Sequence, residues 1–421
     1  VSLLIQFALL AVMVFSFSEH AETFYWVCIL ISIAAALAIV GSRMEPAYKI
    51  AWLLLILPFP VFGGIFYLFI GGGRVSSRRP RRMQGLWDRS IKALAPDFKA
   101  DDLLPLGGEA ATQATYLEQR AACPAYTNTV TEYFSLGDLA FPRMLAELEK
   151  AQRYIFLEYF IIQPGVFWDS ILDVLERQAA QGVEVRLLYD DMGCMFTLPQ
   201  HYDQQMMARG IQCRVFNRFR PIMTPRLNNR DHRKLMIIDG QVGFTGGINL
   251  ADEYINQKER FGHWKDSAIL LEGDAVWSMT VMFLSMWDHC AALEEDFDRF
   301  RPPAAPVRPW TGYVQPYTDT PLDQEAVGQS VYLNMIARAK KYIYITTPYL
   351  IVDVATNTAL CNAAKAGVDV RIITPHIPDK RYVFEVTRAH YPPLLDAGVH
   401  IYEYTPGFIH AKNFVVDGRF A

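Results

Sequence analysis

The sequence predicts an α/β fold: two similar α/β sandwich domains in tandem, related by pseudo-twofold symmetry and preceded by N-terminal transmembrane helices. Three observations lead there. Three long apolar runs open the chain, a strand-helix-strand pattern then occurs twice in the same order, and each copy ends in the pattern His-x-Lys-x-x-x-x-Asp. The first is His232, Lys234 and Asp239; the second is His410, Lys412 and Asp417. A lone His-x-Lys pair is noise, but two copies, each with an apolar run and an Asp-Gly pair, mark a duplicated site.

The apolar runs cover 3–17, 24–40 and 48–70. Only the third exceeds the roughly 20 residues that cross a bilayer comfortably, though helices of about 17 can still span. A signal peptide is disfavoured for the first run, because no basic n-region or small-residue cleavage site is visible and another apolar run follows at once. Pro58, Pro60, Gly63 and Gly64 predict a kink or break in the third. Arg74, Arg78, Arg79, Arg81 and Arg82 follow, a cluster expected to stay on the cytoplasmic side and to attract anionic headgroups. Arg43 and Lys49 pull weakly the other way.

The chain of 421 residues is 52% hydrophobic, with a net charge of −4. That hydrophobic share favours a membrane protein, and the charge gives no global basic field to support a nucleic-acid partner. Six scattered cysteines without metal-ligand or disulfide-framework spacing suit a reducing compartment.

From about Thr131 the α/β pattern begins. A strand is expected over 154–162, a helix over 170–180 with apolar residues on one face, and a strand over 182–189. The order then returns: Ala151-Gln-Arg-Tyr-Ile matches Ala339-Lys-Lys-Tyr-Ile, Gly182-Val-Glu-Val-Arg matches Gly367-Val-Asp-Val-Arg, and Gly210-Ile211 answers Gly398-Val399. Whole domains are therefore repeated. The organisation expected is transmembrane helices to residue 72, a basic juxtamembrane segment over 73–130, a first domain over 131–300, a Pro-rich linker over 301–316 and a second domain over 317–421. That second domain is expected to continue past 421 with its own Gly-x-x-Asn segment and orienting carboxylate. The segment 276–287, rich in Met and aromatics, reads as a core helix before a lipid-binding surface.

His232 and Lys234 are two residues apart, which on extended backbone places both on one face. Asp239 lies at an odd offset from His232, so Asp239 and Asp417 read as turn scaffold that accepts from backbone N–H groups. Two imidazoles meeting across a cleft can divide a displacement at phosphorus: one attacks, the other protonates the departing oxygen and then deprotonates the incoming hydroxyl. Two lysines stabilise the non-bridging oxygens. No metal or other cofactor is required, and no His/Cys/carboxylate cluster has ligand spacing.

These motifs resemble the phospholipase D superfamily. Phe244-Thr-Gly-Gly-Ile-Asn-Leu-Ala-Asp-Glu-Tyr-Ile-Asn256, Phe261-Gly-His-Trp-Lys-Asp266 and the apolar N-terminal hairpin with Pro46-Ala-Tyr-Lys-Ile resemble, more narrowly, the bacterial cardiolipin synthases. The resemblance implies phospholipase D-like domains, a covalent phosphohistidine and a catalytic set of His232, Lys234, Asp239, His410, Lys412 and Asp417, with His232 as nucleophile. It implies that Asn249, with Gly247, helps hold phosphate. It also implies an orienting carboxylate some 30 residues after the motif, which points to Asp266 as the partner of His232. His263 lacks the four-residue spacer and reads as a cleft-lining or packing residue.

Glu158, a charge inside an apolar strand, either faces the cleft and substrate or pairs with a buried Arg. Arg230 belongs with Arg218, Arg220, Arg226 and Arg233 to a basic stretch placed to receive anionic headgroups; a solvated loop explains it equally well. The function expected is a membrane-embedded phosphatidyltransferase acting on phosphatidylglycerol among anionic membrane lipids, in the bacterial inner membrane with its catalytic domains cytoplasmic. A lipid hydrolase, a nuclease and an inactive membrane scaffold are the rivals. The acceptor lipid and the oligomeric state, a homo-oligomer included, stay open.

Overall fold

The computed structural model describes residues 21–42, 44, 46–59, 63, 64, 67, 81–94, 108–219, 229–304, 312–319 and 325–421. The chain divides into two units, Val1–Arg79 with Asn217–Arg230, and Pro80–Phe216 with Asp231–Ala421. The first unit holds α1 (Ala21–Val40) and α2 (Pro46–Ile56). They pack through Ala35, Ile39 and Ile56, while Leu30, Ile33, Leu37, Leu54 and Leu57 remain exposed. Among the described residues no helix is long and apolar enough to cross a membrane. Glu22 occupies the first turn of α1, and its apolar stretch 24–40 rises only about 25 Å against a hydrocarbon core of about 30 Å. The run 3–17 and most of 60–70 lie outside the described residues.

In the second unit the helices are α3 (Arg81–Ala93), α4 (Gly108–Ala121), α5 (Gly137–Leu148), α6 (Val166–Ala180), α7 (Asp191–Cys194), α8 (Tyr202–Ala208), α9 (Val276–Ala291), α10 (Val327–Arg338), α11 (Val354–Lys365), α12 (Arg381–Ala389) and α13 (Tyr391–Asp396). The strands are β1 (Thr129–Phe134), β2 (Tyr154–Tyr159), β3 (Glu184–Asp190), β4 (Gln212–Phe216), β5 (Leu235–Ile238), β6 (Val242–Gly246), β7 (His263–Lys265), β8 (Ala268–Gly273), β9 (Tyr342–Thr346), β10 (Asp369–Pro375), β11 (His400–Tyr404), β12 (Gly407–Ile409) and β13 (Asn413–Val416).

One sheet has the order β1-β8-β6-β5-β2-β3-β4 and another β11-β10-β9-β13. The run β4-β3-β2-β5 matches β11-β10-β9-β13, three parallel strands and then one antiparallel in each case. The seven-stranded sheet is covered on both faces, and the side-chain period of two divides its residues. Ile155, Leu157 and Tyr159 join the core formed with α5 and α6; Tyr154 and Phe156 join the core beneath α9. As expected of a core helix, Trp277, Phe283, Leu284 and Trp287 of α9 are buried. Helix α6 begins four residues before the expected 170, because a distant carboxylate caps it. The N-cap is Gly165, without a side chain, and Asp252 accepts instead from Val166 N at 3.1 Å and Phe167 N at 2.9 Å.

The repeated Asp-Gly pairs close matching turns. Asp239 and Gly240 have φ of 54° and 68°, Asp417 and Gly418 of 55° and 66°, the left-handed values of a tight hairpin turn. The Asp239 carboxylate accepts from the backbone N–H groups of Gln152, Arg153 and Tyr154, each at 2.8 Å. Asp417 does the same for Lys340 and Lys341 at 2.8 Å and Tyr342 at 2.9 Å. Each motif aspartate thus pins its hairpin to the start of the neighbouring parallel strand, in the turn-scaffold place expected of it, although the histidines stand on irregular backbone and not on the same strand. Burial acts to raise the Asp417 pKa, but the three N–H donors prevail and hold it below the usual carboxylate value.

Either Asp239→Ala or Asp417→Ala should lower unfolding free energy by about 2 kcal/mol, from loss of charge-assisted bonds, read by urea titration. For Asp417 the folded pKa lies below the unfolded one. Its stabilisation is therefore fully present above about pH 4 and lost as pH falls through the depressed folded value; the gap between wild type and Asp417→Asn should close only in strong acid.

Candidate active site

Both motifs stand on irregular backbone just ahead of a strand, His232 and Lys234 before β5, His410 and Lys412 before β13. The first is held from behind. Asp190, at the end of β3, accepts from Asp231 N at 2.9 Å through one oxygen and from Met192 N and Gly193 N at 2.9 and 3.0 Å through the other. Arg233 turns inward, its Nη2 2.5 Å from Glu158 Oε1 and its Nε 3.5 Å from Asp231 Oδ1. The Glu158 contact is close but lacks hydrogen-bond alignment at either carboxylate oxygen. Glu158 is fully buried, and burial pushes its pKa well up against the pull of Arg233. Of the two readings of Glu158 the structure takes the buried pair, and its carboxylate does not line the cleft. Strand β2 is covered on both faces, so every one of its side chains is inside.

The second motif is held by the first half of the chain. Strand β12 pairs in parallel with β7, Gly407 with His263, Phe408 with Trp264 and Ile409 with Lys265. The carbonyl of Lys265 then accepts from His410 N at 2.7 Å and Ala411 N at 3.2 Å. This pairing sets Asp266, the next residue, beside the ring: His410 Nδ1 donates to Asp266 Oδ2 at 2.6 Å. The expectation that Asp266 orients His232 is thereby corrected. The carboxylate follows β7, and β7 runs alongside β12 of the other half, so it serves the other half's histidine.

Asp266 is wholly buried, and its place depends on a glycine. A Cβ on Gly247 would lie 2.0 Å from Asp266 Oδ1, so Gly247 makes room for this carboxylate. Asn249, also buried, accepts from Ile161 N at 3.0 Å and donates to Tyr254 Oη at 2.8 Å. It ties the loop after β6 to the end of β2, with one amide hydrogen left beyond these two bonds. Arg230 lies in the other unit and donates to the carbonyls of Asn229 and Asn217 at 2.8 and 3.1 Å. Arg220 and Arg226 fall outside the described residues. His263 pairs with the Tyr404 hydroxyl at 2.8 Å, a packing role.

Two aromatic residues at the site are not among the expected site residues, although Tyr254 falls within the string 244–256. The Phe160 ring lies 4.7 Å from that of His232, and Tyr254 meets His410 edge-on at 5.6 Å. Asp190 was also missed. A strand-end Asp in Leu-Leu-Tyr-Asp-Asp was the available signal, one shared by many surface turns.

The electrostatics distinguish the two histidines. Lys234 and His410 are buried, whereas His232 and Lys412 keep solvent-accessible surface in a cleft densely lined by protein. Desolvation, then Lys234, Lys412, His410 and Lys380, pushes His232 down to about 3, so its ring is neutral. Desolvation also lowers His410, with Asp266 opposing. With Nδ1 donating to Asp266, Nε2 carries the lone pair, and Lys412 Nζ stands 2.9 Å from each of the two ring nitrogens. Burial and the facing Lys412 bring Lys234 down to about 7, and burial brings Lys412 to about 8. Among the described residues no group of His, Cys, Asp and Glu is arranged to hold a metal. Two imidazoles, one neutral at His232 and one paired with a carboxylate at His410, together with two ammonium groups suit a phosphoryl centre with non-bridging oxygens.

Rising pH removes the ammonium protons, so an oxyanion such as tungstate should bind well at pH 6 and at least about tenfold more weakly at pH 9. Calorimetry with Lys234→Met should show the weaker binding already at pH 6.

The family described as "Cardiolipin synthase, PLD-like domain" matches residues 144–287 and 332–421, and "Phospholipase_D-nuclease N-terminal" matches 30–72. A cardiolipin synthase of Geobacillus kaustophilus is 35% identical over 389 residues, 92% of this chain and 77% of that protein. An uncharacterised protein of Streptococcus mutans is 43% identical over 397 residues, 91% of this chain and 84% of that one. In fold, the chain is similar to phosphatidylserine synthase of Haemophilus influenzae, with a TM-score of 0.50 and 14% identity over 72% of this chain and 80% of the other. The chain belongs to the cardiolipin synthase family of phospholipase D-like proteins.

Proposed function

We propose that the chain transfers the phosphatidyl group of one phosphatidylglycerol to a second, giving cardiolipin and glycerol, through a phosphohistidine on His232. The observation that carries the division of labour is the difference between the two histidines. His232 is neutral and open to the cleft, the state of a nucleophile; His410 is buried on Asp266, which stabilises the imidazolium a general acid requires. In the first step a His232 nitrogen attacks phosphorus, the bond from phosphorus to the glycerol oxygen breaks, and protonated His410 gives that oxygen its proton. In the second, His410 takes the proton from the acceptor hydroxyl, whose oxygen attacks phosphorus as the P–N bond breaks. Lys234 and Lys412 stabilise the non-bridging oxygens throughout. Asp239 and Asp417 act as turn scaffold, Asp266 as the positioning residue for His410, and Gly247 and Asn249 as the supports of that arrangement. The two halves form two phospholipase D-like domains about a pseudo-twofold axis. The same site hydrolyses lipid when water reaches the phosphohistidine first, a side reaction that the exposure of His232 favours.

Expression in a cardiolipin-free bacterial host should restore cardiolipin in extracted lipids, and purified protein should keep its activity after exhaustive chelation. His232→Ala should lower turnover at least about 10³-fold; a tenth of the activity remaining would exclude His232 as nucleophile.

For the N-terminal region we propose a multi-pass anchor in the inner membrane, with the catalytic unit cytoplasmic. The family match over 30–72, the exposed apolar side chains of α1 and α2 and the five arginines from Arg74 to Arg82 support this. A cysteine replacing Ser77 should resist an impermeant thiol reagent in sealed cells, and one replacing Ser42 should react. The opposite pattern would place the catalytic unit outside.

A further inference from the structure

The transfer proposed above must hold two phosphodiesters at once, and the motif histidines and lysines surround only one. A second anion brought beside the first is repelled unless another cation meets it. The loop leaving the carboxyl end of β10 supplies one, and it is mounted from two sides. Tyr349, in the segment after β9, packs against the core of the first half. Its hydroxyl donates to Asp379 Oδ2 at 2.6 Å. Lys380 comes next, its ammonium 5.7 Å from the Tyr349 ring centroid and 3.9 Å from Asp379 Oδ2.

The side chain of Lys380 is 53% exposed and that of Asp379 only 18%, so the cation is presented and the carboxylate is kept behind it. Asp379 Oδ1 is buried and has no hydrogen-bond partner, so nothing else ties that oxygen in place. Lys380 is also the N-cap of α12, where no side chain caps the first-turn amides; their partial positive charge adds to that of the ammonium. The pair stands within electrostatic range of the catalytic groups, the charge of Lys380 acting on His232 and that of Asp379 on Lys412.

We propose that Lys380, mounted on Tyr349 and Asp379, binds the phosphate of the acceptor lipid and so selects an acceptor glycerol that bears a phosphate. This rests on the phosphatidyl transfer proposed above. A donor phosphate lies between the motif lysines, and the acceptor's own phosphate, one glycerol away from the attacking hydroxyl, lies at the rim where Lys380 stands.

The test compares acceptors in the full chain, with phosphatidylglycerol in mixed micelles as donor. One reaction is cardiolipin formation, the other exchange of labelled glycerol into phosphatidylglycerol, whose acceptor bears no phosphate. Lys380→Ala should lower the ratio of the first rate to the second about tenfold, the factor expected for one charge-assisted contact in a half-exposed cleft. The loss should fall mainly on KM for the acceptor, and Lys380→Arg should keep most of the ratio. An unchanged ratio, including equal losses in both reactions, overturns the proposal. A wild-type chain that exchanges glycerol but makes no cardiolipin refutes the cardiolipin reading instead. Lys380 is then judged by the same tenfold criterion on transfer to glycerol 3-phosphate relative to glycerol.

Discussion

The parallel pairing of β7 with β12 is the contact on which the site depends. It is only three residues long, yet it joins the two halves of the repeat and ends at Asp266 on one side and His410 on the other. A buried carboxylate and imidazole gain little net stability over an apolar pair of the same shape, but removing one partner leaves an uncompensated buried charge and costs about 3–5 kcal/mol. The pairing therefore matters less for stability than for register. A one-residue slip would turn Asp266 to the opposite face and leave it without its partner.

The duplication is strict where it builds the hairpins and relaxed where it builds the surroundings of each histidine. Asp239 and Asp417 make the same three backbone contacts at nearly the same distances. Behind His232, however, lies a buried charged cluster of Glu158, Arg233, Asp231 and Asp190, whereas the positions matching Glu158 and Arg233 are Thr346 and Ala411. Thr346 contributes a hydroxyl that accepts from Asn413 N at 3.1 Å. One half secures its motif with ion pairs inside its own sheet, the other by lending its strand to a neighbour. Two histidines of like sequence context thus acquire unlike surroundings, the condition for acting as nucleophile and as acid-base group.

Placing two ammonium groups and two imidazoles in one cleft is unfavourable while it is empty. Desolvation is the main cause: it brings Lys234 down to about 7, with the charge of Lys412 adding to it, and Lys412 down to about 8 against the pull of Asp266 and Asp379. An arriving phosphodiester relieves the repulsion without reorganising the protein, so the cost of assembling the charges is met during folding, before the reaction begins. The same reasoning explains why a second phosphate needs a separate cation at the rim.

Much of this protein was legible in its residues. The repeated His-x-Lys-x-x-x-x-Asp patterns, the paired Ala-x-x-Tyr-Ile and Gly-Val-x-Val-Arg strings and the two Asp-Gly pairs are local features, and strand alternation and turn chemistry translate them directly into strands, hairpins and a scaffold role. The apolar residues 24–40 and 48–56 likewise announced helices, though not whether either is long enough to span. Which histidine receives Asp266 was not legible, because the answer lies in a contact between residues 144 apart in sequence. Nor were the remote cap that Asp252 lends to α6, the inward turn of Arg233 onto Glu158 or the space that Gly247 leaves for a carboxylate. Each depends on which segments the fold brings together. A sequence states the chemistry of its groups and the period of its backbone, but distances between remote groups exist only after the strands have paired.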